Sequence, residues 1–323
     1  MMVKKNIYVT GASGRLGREV LKAIPEAIPI VRQASGLENE IVTDYSFHDL
    51  ERMLRNADVI IHLAASRDFL DMNKAREGNV ILTQRLATAV PPTARIIFAS
   101  SISVYGKHLA AMPADEATAT RPDTPYAKTK LQAERIVSSK PDHVILRIGP
   151  LYGPGFDEYF EVLRMIKDGT MRVIGSGNNH IPFVHAEDVA RAIQAAVSEG
   201  RGIYVLVGEC LTQSEVYAIA AKELGVEPPR KHVPTLLAAL MAQLSLIRSS
   251  LTKSKPKFIP EDISVLSSDR RFDCSRAQKE LGFSPRPLAD GIKEMVALMG
   301  EQGTKDRLTQ MKALGTPQAP AQQ

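Results

Sequence analysis

The chain has 323 residues, 44% hydrophobic and 24% charged, which is enough apolar material for one large core or for two domains sharing a cleft. Its formal net charge of +5 is scattered, with no Lys/Arg run and no interleaved aromatic stripe, which argues against nucleic acid and suits an enzyme of anionic cofactors or substrates. Two cysteines, Cys210 and Cys274, show no Cys-x-x-Cys spacing, so neither a disulfide framework nor a zinc site is expected and each reads as an inert thiol.

The start runs directly into a short apolar strand, too short for a signal peptide's apolar region, and no stretch reaches about 18 consecutive apolar residues. A cytoplasmic protein is expected. Residues 5 to 10 read as a strand, followed by a glycine-rich turn and an amphipathic segment from Arg15 to Ile24 that stops at Pro25. Strand-like runs recur at Ile28 to Val31, Ile41 to Val42, Val59 to Leu63, Ile96 to Ala99 and Val144 to Ile148, with helix-length segments between most of them. That alternation predicts an α/β fold with a parallel sheet covered on both faces.

After Pro150 the texture changes. Gly153-Pro154-Gly155 breaks the chain, Asp157 to Lys167 reads as a helix, and Gly175 to Asn179 as a loop. A strand at Phe183 to His185, a helix at Ala186 to Ser198 and a strand at Tyr204 to Val207 could return to the first sheet. Helices are then expected at about Ser214 to Leu224, Thr235 to Ile247, Ser275 to Leu281 and Leu288 to Met299, and the low-complexity end suggests a flexible tail over 301–323.

The turn Thr10-Gly11-Ala12-Ser13-Gly14-Arg15-Leu16-Gly17 lies between a strand and a helix, the setting a dinucleotide fingerprint requires. Glycines allow the tight turn and close approach to a pyrophosphate, and the helix start supplies free amides. The second strand is followed by Arg32 and Gln33 where an acidic ribose ligand would stand. Arg32 and Arg15 could pair with a 2′-phosphate, which favours NADP(H) over NAD(H); solvated arginines are the alternative. Asp44 and the Leu63-Ala64-Ala65 turn could flank adenine and ribose, or serve as a helix cap and a packing turn.

Ser100-Ser101-Ile102-Ser103-Val104-Tyr105-Gly106 follows a buried strand, so its hydroxyls should emerge at the carboxyl end of the sheet. Tyr126-Ala-Lys-Thr-Lys130 sets a phenol and an ammonium four residues apart, on one face of a helix. With these residues the chain resembles the extended short-chain dehydrogenase/reductase family, the NAD-dependent epimerase/dehydratase group. The same resemblance is carried by Val59-Ile-Ile-His-Leu-Ala-Ala65, Asn79-Val-x-x-Thr83, Arg147-x-Gly-Pro-x-Tyr-Gly153, Val184-His-x-x-Asp188 and Asp273-x-Ser-Arg-Ala-x-x-Glu-Leu-Gly282, in family order over about residues 5 to 300.

The resemblance implies a Rossmann doubly wound sheet from 1–150 and about 181–208, and a smaller, mainly helical substrate lid from about 151–180 and 209–300. It makes Ser101, Tyr126 and Lys130 the catalytic set, with Ser100 and Ser103 as neighbours open to confusion with Ser101. Tyr126 would exchange a proton with a substrate hydroxyl, Lys130 would favour phenolate and hold the nicotinamide ribose, and Ser101 would orient the substrate oxygen. Pro150 and Tyr152 belong to a loop expected against the nicotinamide, and Asn79 reads as structural. His62 and His185 read as satisfied core histidines, with no metal expected.

For the substrate, the departure from the family is informative. Many nucleotide-sugar members carry an arginine in a pattern like Arg-Asp-Phe-x-His, whereas this chain has Ile181 in His180-Ile-Pro-Phe-Val-His185. Arg230, Arg270 or Arg271 could compensate. The run looks more like members related to 3β-hydroxysteroid dehydrogenases and dihydroflavonol reductases. The apolar segment Leu236 to Ile247, followed by Arg248, Lys253, Lys255 and Lys257, reads in the first place as a lid-core helix; covering an apolar substrate, or membrane-surface contact through 236–257, is the alternative. The favoured reading is a reductase or dehydrogenase of a small-molecule ketone or secondary alcohol. Alternatives are a nucleotide-sugar epimerase or dehydratase and a non-catalytic dinucleotide-binding subunit. A homodimer through Met72 to Ala89 and Tyr126 to Ser139 is a further expectation.

Overall fold

The computed structural model describes residues 5–66, 71–252, 263 and 266–300, so the tail over 301–323 lies outside the described residues. A seven-stranded parallel sheet forms its centre. It is built from β1 (Ile7–Thr10), β2 (Ile28–Val31), β3 (Ile41–Val42), β4 (Val59–His62), β5 (Arg95–Ser101), β6 (His143–Ile148) and β11 (Gly202–Leu206), in the order β11-β6-β5-β4-β1-β2-β3. This is a doubly wound Rossmann-like α/β sheet. Strand order reverses between β1 and β4, and the crevice at that point opens beyond Thr10 and His62, which are register partners.

Both faces of the sheet are buried, which is why its strands read as continuous apolar runs. In β4, Ile61 points to one core with Val9, Val20, Leu146 and Ile193, while Ile60 points to the other with Leu50, Leu86, Phe98 and Val137. The first core is closed by α1 (Arg15–Ala23), α7 (Ala186–Ala196) and the helix Ser275–Leu281. The second is closed by α2 (Phe47–Leu54), α4 (Leu82–Ala89) and α5 (Pro125–Ser138). Each fully buried aliphatic side chain contributes about 1.5–3 kcal/mol. α5 starts where the chemistry of its first residues dictates: Pro125 presets the first turn, and Thr124 accepts the Ala127 amide proton at 3.1 Å. Before α4, α3 (Met72–Arg76) passes through a π turn at Glu77–Ile81.

Beyond Ile148 the expected helices are present with ends shifted by a few residues, and the strand expected at Phe183 to His185 is present over its last two residues, but the other short strands among them were not legible. β7 (Leu151–Tyr152) pairs with β10 (Val184–His185), β8 (Val173–Ile174) with β13 (His232–Val233), and β9 (His180–Pro182) with β12 (Cys210–Thr212). Two or three residues are too few for periodicity to register. Phe183, expected inside one strand, instead separates β9 from β10. α6 (Asp157–Lys167), α8 (Gln213–Leu224) and a helix over 288–300 share a third core of Phe160, Leu163, Val216, Tyr217, Leu288, Ile292 and Met295.

α9 (Thr235–Thr252) departs from the expected core helix. Only Ala238 and Ala242 are buried among its residues 236–246, packed with Ile174 and Ile263, while Leu236, Leu237, Leu240, Met241 and Leu244 face solvent. No described helix is long and apolar enough to cross a membrane. The two cysteines come closer in space than in sequence: Cys210 meets the Phe272 carbonyl and Cys274 packs on the same cluster. Both are free, with burial pushing each thiol up, Cys274 to about 11.

Candidate active site

A cleft of about 1300 Å³ runs from the glycine turn, across the carboxyl ends of the sheet, to the third core. Gly11, Gly14, Arg15, Leu16, Gly17, Leu63, Ala65, Ser101, Tyr126, Lys130, Pro150 and Tyr152 all line it, so the fold assembles residues spread over 142 positions of sequence into one wall. Ser13, Arg32, Asp44 and Ala64 are not part of that wall.

The glycine turn is shaped by crowding. Gly11 has φ +70°, and a Cβ there would sit 2.6 Å from the Ala64 nitrogen; one on Gly17 would meet the Gly11 carbonyl at 2.3 Å. Ala64 therefore acts by closing the floor under the turn. α1 begins at Gly14 with no side-chain cap and no acid in its first turn, which leaves its amides and positive dipole end for an anion. Tyr45, unnoticed in the sequence, is buried beneath the turn and donates from its phenol to the Ile30 carbonyl at 3.0 Å.

Two expected cofactor contacts have partners of their own in the fold. The Arg15 guanidinium, in the cleft wall, pairs with Glu158 of α6 at 2.6 Å and lies 4.1 Å over the Phe156 ring. Asp44 accepts the Ser46 amide at 2.7 Å, next to the start of α2, so its carboxylate does the work of a turn. Arg32 remains exposed at the end of β2, 5.7 Å over the Tyr45 ring.

At the centre, Tyr126, Lys130 and Glu134 follow one another at helical spacing along α5. Lys130 is buried; its ammonium donates to the Ala99 carbonyl and lies 4.3 Å over the Phe98 ring. Burial pushes it down to about 7, partly offset by the Glu134 carboxylate. Ser100 is committed elsewhere, donating to Glu134 at 2.5 Å, and Glu134 also takes Nε and Nη2 of Arg147 at 3.1 and 2.9 Å. Ser101 accepts the Ser103 amide at 3.1 Å and faces the cleft. Ser103 also lines the cleft, its buried hydroxyl without a hydrogen bond. Glu134 was missed, although its place eight residues after Tyr126 was a readable signal.

A second buried network supports α5 from below. The Thr83 hydroxyl donates to the Asn79 carbonyl, so His62 Nε2 donates to Thr83 at 3.0 Å and its Nδ1 accepts from Thr10 at 2.8 Å. Asn79 Nδ2 reaches Thr129 at 3.0 Å, and Thr129 donates to the Tyr126 carbonyl at 2.9 Å. His62 is thus a satisfied core histidine, held neutral by burial and by the nearby Lys130 charge at about 3. His185 is only half so. Its Nδ1 accepts the Glu187 amide, but Nε2 lies 3.4 Å from Glu294 without making a hydrogen bond. Among the described residues no cluster of three or more His, Cys, Asp or Glu is arranged to hold a metal.

The cleft beyond the sheet is largely apolar and aromatic, with Glu161, Arg164 and Asp168 of the α6 segment also in its lining. Ile181 and Phe183 line it with Tyr152, Tyr159, Val216 and Leu288. Of the three candidate compensating arginines, Arg270 is buried and in the wall; Arg230 is exposed and paired with Glu227, and Arg271 reaches Met112.

The profile of the NAD dependent epimerase/dehydratase family matches residues 7–208. The chain is similar to 3beta-hydroxysteroid-dehydrogenase/decarboxylase isoform 1 of Arabidopsis thaliana, 26% identical over 274 residues, which cover 75% of this chain and 62% of that one. It is also similar to UDP-glucose 4-epimerase of Vibrio cholerae, 29% identical over 318 residues, covering 90% and 94%. Among solved structures, UDP-N-acetylglucosamine 4-epimerase from Bacillus cereus shares the fold with a TM-score of 0.72 at 24% identity, over 92% of this chain and 99% of that chain. Both branches of the resemblance read in the sequence, hydroxysteroid and nucleotide-sugar, are present.

Proposed function

The chain belongs to the NAD dependent epimerase/dehydratase family, and on that premise we propose that it is an oxidoreductase working on an apolar, cyclic secondary alcohol or ketone. The observation that carries this reading is Ile181, buried in the cleft wall where an arginine would meet a sugar diphosphate, with Phe183, Tyr152 and Tyr159 extending the apolar surface. The similarity to a plant hydroxysteroid dehydrogenase supports it. Residues 151–180 and 209–300 would form the substrate lid over a dinucleotide-binding half.

The glycine turn fits a nicotinamide dinucleotide: Gly11 and Gly14 line the cleft with no side chain of their own, the α1 start has no side-chain cap, and the same cleft reaches Tyr126. When bound, that cofactor supplies or accepts the hydride. The α1 start would hold its pyrophosphate, and Pro150 and Tyr152 would border the ring. Ser101 would hold the substrate oxygen, Tyr126 would give or take its proton, and Lys130 would leave the Ala99 carbonyl to bind ribose and stabilise phenolate. Arg32 is the remaining candidate for a 2′-phosphate, which keeps NADP(H) the favoured cofactor.

Arg270 favours a second reading, since a buried arginine in the cleft wall could neutralise a diphosphate and make the protein a nucleotide-sugar epimerase. The test supplies NADPH with a panel of sterol-like and other cyclic ketones, and in parallel UDP-sugars without added cofactor. Stoichiometric NADPH consumption is expected, and Tyr126→Phe should lower it at least about a thousandfold with dinucleotide affinity retained. Interconversion of UDP-sugars by protein that retains its dinucleotide on purification would establish the second reading instead.

A further inference from the structure

We propose that the outward face of α9 is a docking surface for an anionic membrane, on which the helix lies in the plane of the lipid headgroups. Leu236, Leu237, Leu240, Met241 and Leu244 are between 48 and 84% exposed. At 3.6 residues per turn they fall within an arc of about 140°, and the two buried residues of the same stretch, Ala238 and Ala242, lie on the opposite side. The other large exposed apolar residues of the described chain, Val42, Phe47, Met72 and Met112, are separated from one another in sequence. Scattered single residues are ordinary on a protein surface, whereas five in nine positions on one helix face form a patch that needs a partner.

Charge selects the partner. The sequence from Thr235 to Pro260 contains no Asp or Glu, and Arg248, Lys253, Lys255 and Lys257 follow the apolar stretch; Lys231 lies exposed just before the helix. A helix with an apolar face, no acid of its own and cations before and after that face in the sequence matches the boundary of an anionic bilayer, where leucines would enter the acyl region and cations would meet headgroups. Ala238 and Ala242 hold the opposite side of the helix against Ile174 and Ile263, so it would lie on the surface of the bilayer and not pass through it. Its docking also bears on the cleft. Ala238 and Ala242 pack in one cluster with Leu266, and Leu266 lines the cleft, so the lipid surface would be one side-chain layer from the substrate's chamber. An apolar substrate dissolved in the membrane would then reach the protein where it is most concentrated.

The test uses the full chain with sedimenting vesicles, either phosphatidylcholine alone or phosphatidylcholine mixed with phosphatidylserine, at low and high salt. It does not depend on turnover, so it is decided separately from the reaction. The wild type is expected to pellet with the mixed vesicles, less with phosphatidylcholine alone, and less at high salt. Two variants read the face itself: Leu236→Ser with Leu240→Ser and Leu244→Ser, and Leu237→Glu with Met241→Glu. Each should cut the bound fraction at least about tenfold while circular dichroism stays that of the wild type, because the altered side chains are exposed. Failure of the wild type to pellet, or equal pelleting of both variants, overturns the proposal. So does a wild-type dimer that both variants convert to monomer with no vesicle binding, which would mean a second copy of this chain covers the face.

Discussion

Lys130 sits where burial and charge oppose each other. In the unfolded chain its pKa is about 10.4; in the fold, desolvation pushes it down to about 7, with Glu134 pulling the other way. Between those values the unfolded chain binds the additional proton, so stability rises with pH from about 7 toward 10. The urea midpoint of the dinucleotide-free protein should therefore climb between pH 7 and 9, and climb less in Lys130→Met. Equal slopes for the two proteins would show that the lysine is not desolvated in solution. Arg32 offers a second residue-scale test. It is exposed, no ion pair of its own competes among the described residues, and Arg15 is engaged with Glu158. Arg32→Asp should shift the kcat/KM ratio of NADPH to NADH by at least about tenfold toward NADH; a wild-type preference for NADH would remove the 2′-phosphate argument.

At the scale of elements, α5 is positioned by polar groups that the sequence shows only as isolated letters. Tyr126 and Lys130 were legible because their spacing fits one helix face. Glu134 completes that face, but its meaning depends on Ser100 and Arg147 from two other strands. The Glu134 and Arg147 side chains are 3 and 5% exposed, so removing one partner strands a buried charge. Glu134→Ala should cost about 3–5 kcal/mol in urea unfolding, and replacing both residues with apolar side chains of similar size should restore part of that loss. A loss within the error of the measurement would mean water reaches the site. The glycine turn shows the opposite balance: its place between strand and helix was readable, and the structure added only what the glycines touch. The partners of Arg15 and Asp44 could not be assigned in advance, because the sequence does not show that Glu158 lies beside Arg15 or that Asp44 accepts the Ser46 amide.

For the whole molecule, Arg286 joins parts that the chain separates by about a hundred residues. Its Nε donates to Asp188 at 3.0 Å, its backbone amide reaches the same carboxylate at 2.8 Å, and it pairs with Glu187 and, at 3.1 Å, Glu294. Asp188 is fully buried at its side chain on α7, and Glu294 belongs to the helix over 288–300 whose Leu288 and Ile292 line the cleft. Arg286→Ala should lower stability by about 3 kcal/mol and speed hydrogen exchange in 288–300 while α1 keeps its protection. Uniformly faster exchange in both would show that the arginine supports the global fold and does not specifically tie this helix down.

By itself the sequence determined the parallel sheet, the glycine turn between its first strand and helix, and the placing of Tyr126 and Lys130 on one helix face, because each depends on local spacing: apolar runs between helices, glycines where the backbone must come close, and a four-residue helical repeat. Only the tertiary structure decided which groups have partners of their own. It tied Arg15 to Glu158, took Ser100 for Glu134, brought Arg270 but not Arg230 into the cleft wall, and turned the leucines of α9 outward. Such outcomes follow from competition among long-range contacts, and the residue types alone do not rank those contacts.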